Sequence, residues 1–232
     1  MPVEHDTFPR ALSLAVHEFR TPVTVVSGYL RMLLKEQGGP LTEKQRKMLE
    51  EAERSCGRIG ALVAEMSELG KLEGGELAVA RQAFDLAPLV AELASGMQEG
   101  NDRDVRLEVR GADRAFAVRG DRTRLAAAIR ALMYAALRER GEPGLIVAEC
   151  SVLDDSEPPF VLIAIGDEET VPSLRAAARG TPPSFDEWRG GLGLALPVAR
   201  RVIEAHGGAL WSAAGDRSRT GSALRLPLVE GT

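Results

Sequence analysis

Apolar residues recur at intervals of three and four from Leu12 through Val16, Phe19, Val23, Val26 and Leu30 to Leu33. This spacing predicts one long helix, from about residue 7 to about residue 35, carrying a single apolar stripe. Pro22 falls inside it. A proline there removes a backbone donor and crowds the preceding turn, so a bend with unpaired carbonyls is expected. Gln37-Gly38-Gly39-Pro40 ends the pattern, and Thr42-Glu43-Lys44-Gln45 reads as a capping box opening a second helix. Its apolar positions, among them Met48, Leu49, Ala52, Cys56, Ile59, Leu62, Val63, Met66 and Leu69, keep a heptad-like spacing to about residue 72. A hairpin with arms of about thirty residues cannot enclose both of its stripes. Two copies pairing into a four-helix bundle solve this economically, so a homodimer is expected.

After Gly74-Gly75 the pattern changes to alternating strands and helices, which places a domain boundary near residues 73–80. Two domains are expected, 1–75 and 76–232, in an α+β chain. In the second, residues 77–79, 105–109, 145–153, 160–165, 209–213 and 222–228 read as strands. Residues 86–97 and 121–140 read as helices, and residues 154–159, rich in Asp and Pro, as a hairpin loop. Gly190-Gly191-Leu192-Gly193-Leu194 runs into a last helix, and its glycines suit a loop that presents backbone N–H groups to phosphate oxygens. His206, at the end of that helix, reads as a C-terminal cap interacting with the helix dipole.

Composition changes this picture little. With 44% hydrophobic and 27% charged residues the chain has the makeup of a globular protein, and its net charge of −5 offers no electrostatic footprint for nucleic acid. No apolar run reaches membrane-spanning length and the first ten residues lack a signal-peptide core, so a cytoplasmic chain is expected. Cys56 and Cys150 fit no metal-ligand spacing and read as buried thiols.

The candidate chemistry lies in His17-Glu18-Phe19-Arg20-Thr21-Pro22. Residues four apart share a helix face, so His17 and Thr21 point the same way while Glu18 flanks the ring. The string HEFRTPVTVVSGY resembles the phosphoacceptor box of sensor histidine kinases. The resemblance implies that His17 is phosphorylated on one ring nitrogen, that Glu18 binds the other ring N–H and raises the nucleophilicity of the imidazole, and that Thr21 orients a water for dephosphorylating a partner aspartate. The order of elements after residue 75 is likewise similar to the family's ATP-binding domain of the Bergerat type, an α/β sandwich with helices on one face of a mixed sheet.

That resemblance implies ATP and magnesium as cofactors and a response regulator receiver domain as partner. The family's nucleotide elements are matched unevenly. Gly191 and Gly193 keep the glycine loop, and Arg138 stands where a phosphate-binding base is frequent. The two asparagine positions of the metal-binding helix are Ala131 and Ala135, so no metal ligand is assigned. In the adenine box, Gly166 takes the place of the aspartate and Glu168 and Thr170 the places of the glycines when Val171-Pro172 set the register; a one-residue deletion brings Asp167 to the adenine position instead. Residues 173–189, with Pro182-Pro183 and Phe185, correspond to the lid. Three functions fit: an ATP-dependent histidine autokinase; a phosphotransfer or phosphatase protein with a vestigial ATP domain; and a non-enzymatic dimeric scaffold that pairs with another histidine kinase.

Overall fold

In the computed structural model, which describes residues 7–74, 80–98, 100–154, 157–213 and 221–229, the apolar stripe of the first helix is divided between two rows. Helices α1 (Thr7–Leu34) and α2 (Glu43–Glu73) form the hairpin. Leu12 lies against Gly70, its Cδ2 3.3 Å from where a Cβ on that residue would stand. The Cys56 thiol donates to the Val23 carbonyl at 3.5 Å. Val16, on the same row, is buried, as are Cys56 and Val63 on α2. The second row, Phe19, Val26 and Leu33, is exposed together with Tyr29 and Met32, and α2 exposes Ile59 and Leu62. Helix α1 runs through Pro22. Thr24 Oγ1 donates to the Arg20 carbonyl at 2.8 Å, adding a side-chain bond beside the turn where proline removes a backbone one. The capping box forms: Gln45 N–H donates to Thr42 Oγ1 at 3.3 Å and Thr42 N–H to Gln45 Oε1 at 2.9 Å. Arg46 closes the other arm by donating to the Leu34 carbonyl at 3.4 Å and pairing with Glu36.

The chain divides into two compact units, Met1–Leu77 and Ala78–Thr232. The second is built on a five-stranded mixed sheet of β2 (Val105–Arg110), β4 (Gly144–Leu153), β5 (Phe160–Asp167), β7 (Gly221–Pro227) and β6 (Ala209–Ser212), in that spatial order. Only β2 and β4 are parallel. A separate antiparallel pair, β1 (Gln82–Asp85) with β3 (Ala117–Gly120), is a feature that short, unalternating sequences concealed. The strand expected at residues 77–79 lies outside the described residues.

Helices α3 (Leu86–Ser95), α4 (Arg122–Glu139) and α6 (Ala195–Ala205) pack together as one layer on the sheet. A short helix, α5 (Val171–Ala177), occupies the other face, where Val171 and Leu174 pack with Leu162, Ala164, Trp211 and Ala223. β5 is therefore buried on both sides, which explains its unbroken apolar run from Val161 to Ile165. Trp211 is fully buried and donates its indole N–H to the Leu174 carbonyl at 3.2 Å, tying β6 to α5. Both cysteines are free and buried, and burial pushes the Cys150 thiol up to about 12.

His206 joins the two helices that flank the glycine loop. Its Nδ1 lies 2.6 Å from the Val202 carbonyl, and its Nε2 accepts the Asp121 N–H at 2.9 Å, while Asp121 itself caps α4 through the Arg124 N–H at 3.1 Å. The cap expected from sequence is thus a neutral ring bonded to two backbones, with a hydrogen on Nδ1 and none on Nε2. Burial, the largest influence, lowers the His206 pKa from its ordinary 6.5. Since the unfolded chain then binds the proton more readily, the contribution of His206 to stability is complete above about pH 6.5 and is lost as pH falls through the lowered folded value. Urea midpoints measured against pH are expected to decline on acidification below that point. His206→Ala, costing about 1–3 kcal/mol at neutral pH, is expected to remove that part of the decline.

Candidate functional site

On α1 the burial of Val16 turns the next residue outward. The His17 side chain is 77% exposed and that of Glu18 72%, with Nδ1 of the ring 3.5 Å from Glu18 Oε1. One ring nitrogen faces the carboxylate. The other, Nε2, belongs to a ring that is largely open to solvent. Thr21, one turn on, is exposed as well, so the three residues of the motif share an open surface of a continuous helix.

In the second unit the residues singled out for a nucleotide are spread over four elements, and several have other occupations. Asp167 closes β5, pairing with Ile146, and its Oδ1 accepts the Thr170 N–H at 2.8 Å, capping the turn into α5. Gly166 is a strand residue between Val147 and Gly221. Glu168 pairs with Arg110 at 2.8 Å. Thr170, in a glycine position of the family box, is buried, and its hydroxyl has no hydrogen-bond partner. Arg138 is exposed near the end of α4. Ala131 is half-buried and Ala135 buried on the same helix.

The segment corresponding to the lid is partly α5 and partly a strip tied to the sheet edge. Ser212 N–H donates to the Ser184 carbonyl at 3.4 Å, Asp186 N–H donates to Ser212 Oγ at 2.9 Å, and Phe185 is buried. Trp188, by contrast, is 72% exposed. The glycine loop follows as a single 3-10 turn, Arg189–Gly191, before α6. Gly190, Gly191 and Gly193 all take left-handed backbone conformations, with φ of 69°, 59° and 63°.

Two side chains that pattern reading missed lie beside this loop. Arg189 and Glu139, the last residue of α4, form a partly buried bidentate pair, Nε to Oε1 at 2.5 Å and Nη2 to Oε2. Fifty positions separate them, and no local signal links charges so far apart.

Comparison with known proteins fits this geometry. Residues 10–75 match the His Kinase A (phospho-acceptor) domain. The sensor protein GacS of Pseudomonas syringae pv. syringae is 29% identical over 224 residues, 91% of this chain and 24% of that protein. The circadian input-output histidine kinase CikA of Synechococcus elongatus is 26% identical over 204 residues, 85% of this chain and 27% of that one. The histidine-protein kinase BarA of Escherichia coli is 29% identical over 200 residues, 83% and 22% of the respective chains. The chain thus spans about a quarter of the length of these curated relatives. Among solved structures, full-length ShkA in complex with AMPPNP superimposes with a TM-score of 0.73 at 22% identity, covering 96% of this chain and 46% of that one. The histidine kinase AdeS of Acinetobacter baumannii gives 0.58 at 19% identity, covering 92% and 98%.

A phospho-acceptor hairpin followed by an ATPase-type α/β sandwich is the architecture of a transmitter module. Residues 10–75 are thus a His Kinase A (phospho-acceptor) domain, and the chain as a whole is similar to sensor histidine kinases of two-component signalling. Among the described residues, no helix is long and apolar enough to cross a membrane.

The loop geometry makes a prediction about folding alone. An alanine at 190 meets both the left-handed backbone penalty and Ala135, whose Cα lies 3.2 Å from the added Cβ; at 191 it meets nothing within 4 Å. Gly191→Ala is therefore expected to cost about 1–2 kcal/mol, and Gly190→Ala measurably more, in urea unfolding.

Proposed function

We propose that this chain is a histidine phosphotransfer module, in which His17 carries a phosphoryl group exchanged with an aspartate of a response regulator receiver domain. The observation that carries the reading is the exposed His17 ring with Glu18 Oε1 3.5 Å from Nδ1. The Nε2 lone pair attacks the phosphorus of an aspartyl phosphate, the N–P bond forms as the P–O bond breaks, and the aspartate leaves as carboxylate. Glu18 holds the proton on Nδ1 and offsets the positive charge that grows on the ring during attack. Thr21, on the same face, is the residue we assign to orienting a water that hydrolyses the partner's aspartyl phosphate.

The exposed row Phe19, Val26 and Leu33, continued by Ile59 and Leu62 of α2, is the surface assigned to the second copy. The active form is then a homodimeric four-helix bundle; pairing with another histidine kinase through the same row is the variant of this reading in which the chain acts as a regulator. Light scattering is expected to give a dimer mass, and Val26→Glu with Leu33→Glu a monomer, because like charges would be buried across the seam.

Magnesium-ATP fits the residues of the second unit poorly. Alanines at 131 and 135 have no side-chain oxygen to ligate a metal, Asp167 is engaged by the Thr170 N–H, and Glu169 adds negative charge next to Glu168, which Arg110 already pairs. Loss of an adenine bond and of a metal-ordering group together weakens such a site by about two to four orders of magnitude. The likeness to a structure solved with AMPPNP favours the alternative, an ATP-dependent autokinase.

Two labelled donors separate the readings. A phosphorylated receiver domain is expected to label wild type but not His17→Gln, with Glu18→Gln slowed about a hundredfold; labelled magnesium-ATP is expected to leave both unlabelled. Label from ATP on wild type alone establishes the autokinase, and no label from either donor leaves the scaffold.

A further inference from the structure

The glycine loop does not stand open beside α4. Gly190 approaches Ala135 so closely that a Cβ on it would lie 3.2 Å from the Ala135 Cα and 3.3 Å from its Cβ. Ala135 is 3% exposed, although it stands where the family resemblance puts a metal ligand. Ala135 is therefore a contact of the loop as it lies. Glycine at 190 is thus favoured by this closed arrangement, both by its φ of 69° and by the nearness of Ala135.

What holds the loop down is a cation. The Arg189 side chain is 13% exposed and that of Glu139 18%, so the pair is shielded from the screening that weakens surface ion pairs. All three guanidinium nitrogens are used: Nε and Nη2 on the Glu139 carboxylate, and Nη1 on the Gly221 carbonyl at 2.5 Å. One side chain thereby fastens the loop to the end of α4 and to the first residue of β7. The Cβ that Gly221 lacks would also meet Thr170 Cγ2 at 3.1 Å, so the space between β7 and the start of α5 is filled as well.

We propose that the Arg189–Glu139 pair is a latch that keeps the glycine loop closed on α4, and that this latch controls access of an anionic nucleotide to the loop. The inference rests on the reading of the second unit as an ATPase-type domain with a weakened site. Glu139 occupies the Nε and Nη2 edge of Arg189 with a carboxylate, and a polyphosphate that takes the same bidentate edge must displace it. Removing the carboxylate therefore has two effects at once: the loop loses its tether to α4, and a partly buried cation is left to recruit an anion.

The test compares the wild-type chain with Glu139→Gln, which keeps the shape of the side chain, and with Arg189→Gly. Arg201→Gln, which disturbs a surface pair on α6, serves as the control. Hydrogen exchange over residues 186–196 reads the latch without ligand, calorimetry with magnesium-ATP and with inorganic pyrophosphate reads access, and circular dichroism reports folding. The expected result is exchange about tenfold or more faster in both latch variants, and ATP binding by Glu139→Gln about tenfold or more tighter than by wild type. If Arg189→Gly fails to fold, Glu139→Gln carries the test alone.

Unchanged exchange in a folded Glu139→Gln overturns the latch. Faster exchange without gained binding overturns its control of access, while the weakened-site reading survives. Micromolar magnesium-ATP binding by wild type instead refutes the weakened-site reading, and the exchange comparison still judges the latch.

Discussion

The rotation of α1 about its own axis is the constraint on which the phosphoacceptor surface depends. Leu12 against Gly70 and Val23 against Cys56 and Gly60 fix that rotation, and Val16 lies buried between them. Because adjacent helical residues are turned by about 100°, burying Val16 leaves His17 outside. The glycines on α2 are part of this. At 70 a Cβ would crowd Leu12 at 3.3 Å, while at 60 it would meet Val23 at an ordinary 3.8 Å, so Gly70 is the one that lets α1 approach closely.

The same rotation splits the apolar stripe. A single hairpin can bury only the row that faces its own second arm, and Phe19, Val26 and Leu33, spaced by seven, remain outside. Full burial of side chains of this size stabilises by about 1.5–3 kcal/mol each. An exposed seam of this kind, with heptad spacing and running past the histidine, makes assembly and presentation of His17 one physical problem. Substitutions that tilt α1 toward its own partner arm would move both.

Much of this was legible in sequence because the signals are local. Helix limits followed from spacing, from the Thr42–Gln45 box and from Gly38-Gly39-Pro40, and the order of strands from apolar runs bounded by turn residues. The pair β1–β3 escaped because four-residue strands carry almost no period. Helix α5 escaped because Thr170-Val171-Pro172 reads equally as the end of a nucleotide box and as a helix start with proline in its first turn. The division of the stripe into two rows escaped because three- and four-residue spacing identifies an apolar face without saying how wide it is. Arg189 with Glu139, and His206 with the Asp121 amide, are long-range pairings that only the packing of α4 against α6 and the loop brings together.

The glycine loop shows how a motif can outlast the reason usually given for it. Gly190, Gly191 and Gly193 have φ of 69°, 59° and 63°, values that an L side chain adopts only at a cost of about 1–2 kcal/mol. A Cβ on Gly190 would also crowd Ala135, lying 3.2 Å from its Cα. These requirements belong to the closed loop itself, with Arg189 fastened to Glu139 and Gly221, and they hold whether or not a phosphate ever reaches the backbone N–H groups. An intact run of glycines is therefore evidence for the turn and not for the ligand. The residues that bear on the ligand are those whose chemistry the turn does not need: the side chains at 131, 135, 167 and 170. In this chain the first two lack donor atoms, the third caps a turn, and the fourth is buried with its hydroxyl unpaired.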